Sequence, residues 1–186
     1  LIPKEEMTHL NRYRLLSSLM TLMTVIPLEA QTTSGIPRLV VNIIVDQLRT
    51  DYMEAFIPLY GEDGFKRLLR EGKVYRQAEY PFSSPDRASA VATLLTGTTP
   101  RDHGVVGERW LNRETLQPHY CVDDKSCMVL LTPEQSSPSC LTISTLTDEL
   151  KVATQGKALV YGISPYRDAA ILSAGHAADF TFWLDD

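Results

Sequence analysis

The sequence is short of several things that would fix its class at once. It has three cysteines in 186 residues (Cys121, Cys127, Cys140) and no C-x-x-C pair, which excludes a disulfide scaffold and a zinc knuckle. Ten Gly and 11 Pro are too few, and a hydrophobic share of 44% too high, for a collagen-like, low-complexity or wholly disordered chain. There is no basic block. Eighteen Lys and Arg stand against 23 Asp and Glu, a net charge of −5, so no nucleic-acid-binding surface is expected. The four histidines include no H-x-x-x-H or similar ligand pair.

The N-terminal segment has the order of an export signal. Asn11-Arg12-Tyr13-Arg14 is a basic region, Leu15 to Leu28 an apolar core, and Glu29-Ala30-Gln31 offers cleavage after Ala30. The core is 14 residues long, short of the ~20 that a permanent membrane span needs. Residues 1–30 therefore read as a signal peptide and residues 31–186 as the domain it exports, to the periplasm or beyond. Removing the signal leaves 15 basic against 20 acidic residues, so the balance is unchanged. An oxidising compartment permits one bridge, Cys121–Cys127 or Cys127–Cys140, while three unpaired thiols is the other reading.

Strand and helix patterns alternate along the rest. Arg38 to Asp46 is a near-continuous apolar run, as expected of a strand buried on both faces of a parallel sheet. Helical stretches follow around Tyr52, Met53, Phe56 and Ile57, and over Gly64 to Glu71, where Phe65, Leu68 and Leu69 share a face. Lys73 to Tyr80 reads as a second strand. Ser83-Ser84-Pro85-Asp86 signals a helix start, with a serine cap and proline at the first helical position, and Ala88 to Thr96 a helix ending at Gly97. Arg109 to Ser139 has no period and is expected to be an excursion. Leu141 to Thr154 reads as helix with Ile143, Leu146 and Leu150 on one stripe. Lys157 to Ser164 and Phe180 to Leu184 read as strands. Such alternation predicts an α/β sandwich. The last strand stops at Asp185-Asp186 where a turn should begin, which predicts a sheet truncated at the C-terminus.

Asp46 follows a buried strand, at the end where ligands of α/β sheets bind, and a carboxylate there can hold a cation. Four ordered blocks surround it: Val40 to Tyr52 (VVNIIVDQLRTDY), Leu94 to Trp110 (LLTGTTPRDHGVVGERW), Tyr120 to Asp124 (YCVDD) and Ala170 to His176 (AILSAGH). Together they resemble the alkaline phosphatase superfamily, and within it the type I phosphodiesterase/nucleotide pyrophosphatase group, over roughly Pro37 to Asp186. The resemblance implies an alkaline-phosphatase-like sandwich, with a largely parallel sheet between helices. It also implies hydrolysis of phosphate esters at two zinc ions by a threonine or serine at a helix N-terminus. Asp46 matches a metal ligand of that family. The other ligands come from the second half of the family domain, so this stretch alone is not expected to assemble the zinc pair.

The resemblance breaks at the reaction centre. Counting back from Gly97 along the family's T-x-P-x-H-x-S-x-x-T-G run, the nucleophile position falls on Arg87. A gapped match through Pro85 makes Ser83 the nucleophile instead. Ser89 is the nearest hydroxyl, but two places into the helix its side chain is expected to point away from the helix mouth. Close relatives have asparagine where this chain has Glu108. The family's phosphate-binding lysine and arginine fall on Tyr166 and Asp168, with Arg167 one position off. A guanidinium at the positive end of a helix is disfavoured by about 0.3–1 kcal/mol unless carboxylates surround it. Arg87 is therefore expected to fill the emptied position, paired with Asp46 and Glu108. His103 and His176 are expected to be structural hydrogen-bonding residues. Two functions follow as expectations: an exported, metal-dependent phosphoester hydrolase, or a degenerate phosphatase fold that binds without catalysis.

Overall fold

A reciprocal pair of hydrogen bonds starts the helix on which the rest is built. In the computed structural model, which describes residues 37–184, the Asp86 carboxylate accepts from the Ser89 backbone N–H at 2.9 Å, and the Asp86 N–H donates to the Ser89 hydroxyl at 3.0 Å. This capping box fixes α3 (Arg87–Thr96), and Gly97 closes it in the left-handed conformation (φ +68°), which costs glycine nothing. The cap is thus Asp86, not a serine, and Pro85 lies outside the helix. Ser89 points back to the helix mouth rather than away from it, because helical side chains tilt toward the N-terminus.

The other elements of the unit beginning at Val40 are, in order, α1 (Thr50–Phe56) with a 3-10 turn (Ile57–Leu59), α2 (Phe65–Glu71), the one-turn α4 (Pro100–His103), β1 (Arg109–Leu111), β2 (Pro118–Tyr120), α5 (Leu146–Ala153), β3 (Tyr161–Ile163), α6 (Arg167–Ala174) and β4 (Phe180–Phe182). The strands β3 and β4 pair in parallel, Tyr161 opposite Phe180, with α6 as their crossover. This β–α–β unit carries the expected parallel sheet among the described residues. The strands β1 and β2 form an antiparallel hairpin inside the expected excursion, Trp110 opposite His119. Its turn is held by Asn112, whose side-chain oxygen accepts from the backbone of Glu114 and Thr115.

The core lies between α3 and α6. Ala88, Val91, Ala92 and Leu95 meet Ile171 and Leu172, with Val105, Cys121, Val122 and Leu141 completing the cluster. Two alanines on that face of α3 leave little side-chain bulk between it and α6. His103 is fully buried: the Val105 N–H donates to Nδ1 at 3.2 Å, so Nε2 carries the proton and donates to Thr93 Oγ1 at 3.0 Å. Burial holds its pKa below the usual value, consistent with a neutral structural ring. His176 likewise bridges elements, with Nδ1 3.0 Å from Asp148 and Nε2 3.0 Å from the Leu141 carbonyl.

Several expectations need correction. Arg38 to Asp46 forms no strand among the described residues, and its apolar side chains are exposed, Ile43 by 78%. Lys73 to Tyr80 also lacks strand pairing. An apolar run becomes a parallel strand only beside neighbouring strands that take up its N–H and C=O groups, and periodicity cannot supply them. The helix expected from Leu141 starts at Leu146, because Thr145 and Asp148 form a second capping box there. Ile143 therefore lies outside it. All three cysteines are free, Cys121 in the core. The signal peptide expected at residues 1–30 lies outside the described residues. No described helix is long and apolar enough to cross a membrane.

Gly162 sits where β3 crosses α6. A Cβ there would collide with the Ala170 carbonyl oxygen and come within 2.7 Å of the Ala174 Cβ. Gly162→Ala is expected to destabilise the fold by about 2 kcal/mol through overpacking, read as a lower urea midpoint at unchanged slope.

Candidate functional site

The first turns of two helices, α3 and α6, are joined through their side chains. Arg87 is the first residue of α3, where a positive charge opposes the helix dipole. Its Nε donates to both oxygens of Asp168 at 3.1 Å, and its Nη2 to Glu108 Oε2 at 3.1 Å. The guanidinium carbon lies 3.8 Å from the centroid of the Tyr166 ring, within cation–π range. Tyr166 caps α6 and Asp168 is its second residue, so the dipole of α6 favours the carboxylate that the dipole of α3 needs. Asp168 is fully buried. Burial works against the charge on Arg87, but the hydrogen bond and charge of Asp168, then the charge of Glu108, outweigh it and raise its pKa.

Asp86 ties the third member in place. Besides capping α3, its carboxylate accepts the Glu108 backbone N–H at 2.5 Å. One side chain thus fixes both the start of α3 and the position of Glu108.

The remaining candidates fall apart from this cluster. Asp46 is exposed and lines an open cleft of about 990 Å³ together with Arg87, Glu108, Asp86, Tyr80 and the apolar segment from Val40. It faces Tyr80, whose pKa is raised by burial and by the Asp46 charge. The partner expected for Arg87 in Asp46 is instead Asp168, whereas the expected pairing with Glu108 is present. Ser83 is exposed, in the bend four residues before α3. Arg167 turns toward the excursion. It bonds Ser136 Oγ at 2.9 Å and Asp123 at 3.1 Å, pairs with Glu134, and stacks on Tyr120 at 4.5 Å. Sequence reasoning marked Tyr166 and Asp168 only as lost cations. The reversal of sign at two positions, arginine gained and arginine replaced by aspartate, was the signal that they are partners.

The described residues do not by themselves assemble a zinc pair. Among them, no cluster of three or more His, Cys, Asp or Glu side chains could hold an ion, at Asp46 or elsewhere. At the nucleophile position the Arg87 guanidinium already engages carboxylate oxygens of both Asp168 and Glu108.

Asp86 gives a testable consequence. Burial raises its pKa, but bonds from the Ser89 N–H and hydroxyl and the Glu108 N–H, with the Arg87 charge, bring the net value below the usual carboxylate range. A carboxyl depressed in the folded state stabilises above its unfolded pKa of about 3.9 and loses that stabilisation as pH falls toward the folded value. Asp86→Ala is expected to cost about 1 kcal/mol at neutral pH. Urea titrations of both forms should show the difference narrowing below about pH 4.

The chain is similar to known proteins over most of its length. The family profile of type I phosphodiesterase/nucleotide pyrophosphatase matches residues 40–179. Alkaline phosphatase PhoV of Synechococcus elongatus is 35% identical over 153 residues, covering 81% of this chain and 28% of its own. Alkaline phosphatase PafA of Elizabethkingia meningoseptica is 36% identical over 165 residues, covering 86% and 30%. A calcium-transporting ATPase of Myroides odoratus is 38% identical over 152 residues, covering 80% and 28%. The chain spans less than a third of the length of these curated relatives. The crystal structure of wild-type PafA superposes with a TM-score of 0.77 at 36% identity, covering 81% of this chain and 30% of PafA. A PafA variant altered at one threonine, one asparagine, one lysine and one arginine superposes with a TM-score of 0.74 at 35% identity, covering 77% and 28%. The α/β fold is that of alkaline phosphatases, and the chain belongs to the type I phosphodiesterase/nucleotide pyrophosphatase family of the alkaline phosphatase superfamily.

Proposed function

We propose that the chain is an exported phosphoester-hydrolase domain whose reaction centre has become an internal ion pair, so that it keeps the family fold without phosphoryl transfer. The observation that carries this reading is the bond of Arg87, at the opening of α3, to buried Asp168 and to Glu108. A guanidinium has no lone pair to offer phosphorus and no ionisable proton near neutral pH. It supplies neither nucleophile nor general base.

The neighbours of Arg87 point the same way. In the PafA variant, the altered threonine and asparagine are as far apart in sequence as Arg87 and Glu108, and the altered lysine and arginine as far apart as Tyr166 and Asp168. Threonine, asparagine, lysine and arginine carry two positive charges between them. Arg87, Glu108, Tyr166 and Asp168 carry one net negative charge. A phosphate ester entering here would meet the partly exposed Glu108 carboxylate, with the one cation already bonded to it and to buried Asp168. Like charges at such distances oppose binding of an anion.

The opposing reading, a zinc-dependent hydrolase, has one observation in its favour: Asp46 lines the same cleft and is not bonded to Arg87. An assay separates the two. The protein, expressed from its full reading frame and supplied with zinc, is expected to show no turnover of p-nitrophenyl phosphate or bis-p-nitrophenyl phosphate above buffer. Zinc-dependent turnover abolished by Asp46→Ala would overturn the proposal. Export rests on the basic, apolar and small-residue order of residues 1–30. N-terminal sequencing of the secreted protein is expected to begin at Gln31.

A further inference from the structure

We infer that Asp168, Glu108 and Tyr166 form a binding box for a guanidinium group, with Arg87 as its resident ligand. The box takes a free guanidinium-bearing molecule when the Arg87 side chain is removed. This goes beyond the loss of hydrolysis and does not depend on it.

Three features of the box select a guanidinium over other cations. The Asp168 carboxylate offers two oxygens at 3.1 Å to a single N–H, and Glu108 accepts from a different nitrogen of the same group at 3.1 Å. A planar fork with donors on separate edges can satisfy both acids at once, whereas an ammonium is a point charge. The Tyr166 ring lies flat-side toward the group at 3.8 Å, which favours a planar, weakly hydrated cation. Asp168 is fully buried, so its charge has no water to fall back on if the cation leaves. The guanidinium of Arg167, which follows Tyr166 at the start of α6, is committed to Asp123, Glu134 and Ser136.

The box rests on rigid supports. Asp168 and Tyr166 sit at the start of α6, which packs against α3 through the core. Glu108 is held by its backbone bond to Asp86. Removing the Arg87 side chain therefore leaves a preformed, negatively charged hole rather than a collapsed one, since the two acids repel and the cap still fixes Glu108.

The test is chemical rescue of Arg87→Ala, made in the full reading frame. The variant is expected to melt about 5 °C or more below the wild type. Guanidinium chloride far below denaturing concentrations is expected to restore most of that loss saturably. Matched sodium chloride and methylammonium chloride are expected to restore little. The Arg87→Ala/Asp168→Asn double variant should not respond to guanidinium, and the wild type should show no rise. An Arg87→Ala protein as stable as the wild type would overturn the inference, as would a guanidinium response equal to that of sodium or retained without Asp168. Should Arg87→Ala not fold, the wild type and Asp168→Asn decide. The Arg87 Nε proton should exchange slowly with solvent in the wild type, by nitrogen-edited NMR, and rapidly in Asp168→Asn. Bulk-rate exchange in the wild type, or equal protection in both, contradicts the box.

Discussion

Asp168 is a carboxylate shut away from water in the first turn of a helix, and a charge so placed must have a cation within reach. The rest of the site follows from that need. Arg87 supplies the cation, because Asp86 caps α3 and so makes Arg87 the first residue at its mouth. The unfavourable dipole of α3 at Arg87 and the favourable dipole of α6 at Asp168 act on the two ends of one bond. Glu108 adds a second acceptor and is itself held by the residue that caps α3. Remove the capping aspartate and both the start of the helix and the acid beside the arginine lose their anchor. The cluster is therefore one mechanical and electrostatic unit spread over four segments of chain.

Much of this was legible in the sequence, and the reason differs by residue. The motif blocks around Asp46, Gly97, His103 and His176 are local, and local patterns fixed the family, the helix over Ala88 to Thr96 and the structural role of both histidines. Arg87 and Glu108 stood out because they replace an expected hydroxyl and an expected amide. Their pairing was legible because opposite charges in one cleft attract. Asp168 as the main partner was not, because choosing between Asp46 and Asp168 requires knowing how closely α3 and α6 approach. That distance is set by alanines in the core and leaves no mark in charge or periodicity. The apolar run from Arg38 failed as a strand for the same reason: its hydrophobicity is written in the sequence, but its hydrogen-bonding partners are not.

The core explains why the substituted centre does not disturb the fold. Ala88, Val91, Ala92 and Leu95 face Ile171 and Leu172 behind the ion pair, on the same two helices. Burial there is indifferent to whether the helix mouths carry a hydroxyl and two cations or an arginine and two acids. The superposition on PafA at 36% identity reflects this separation. Packing conserves the frame while the polar ends of the same helices are free to change sign.

The ion pair also couples the two positions that form it. From the present state, exchanging arginine for threonine at the mouth of α3 strands a buried anion, and exchanging the aspartate for arginine sets two guanidinium groups against each other. Either exchange alone therefore leaves a buried charge without its counterpart. The two positions are thus bound to each other: neither side chain can change its charge without a matching change in its partner.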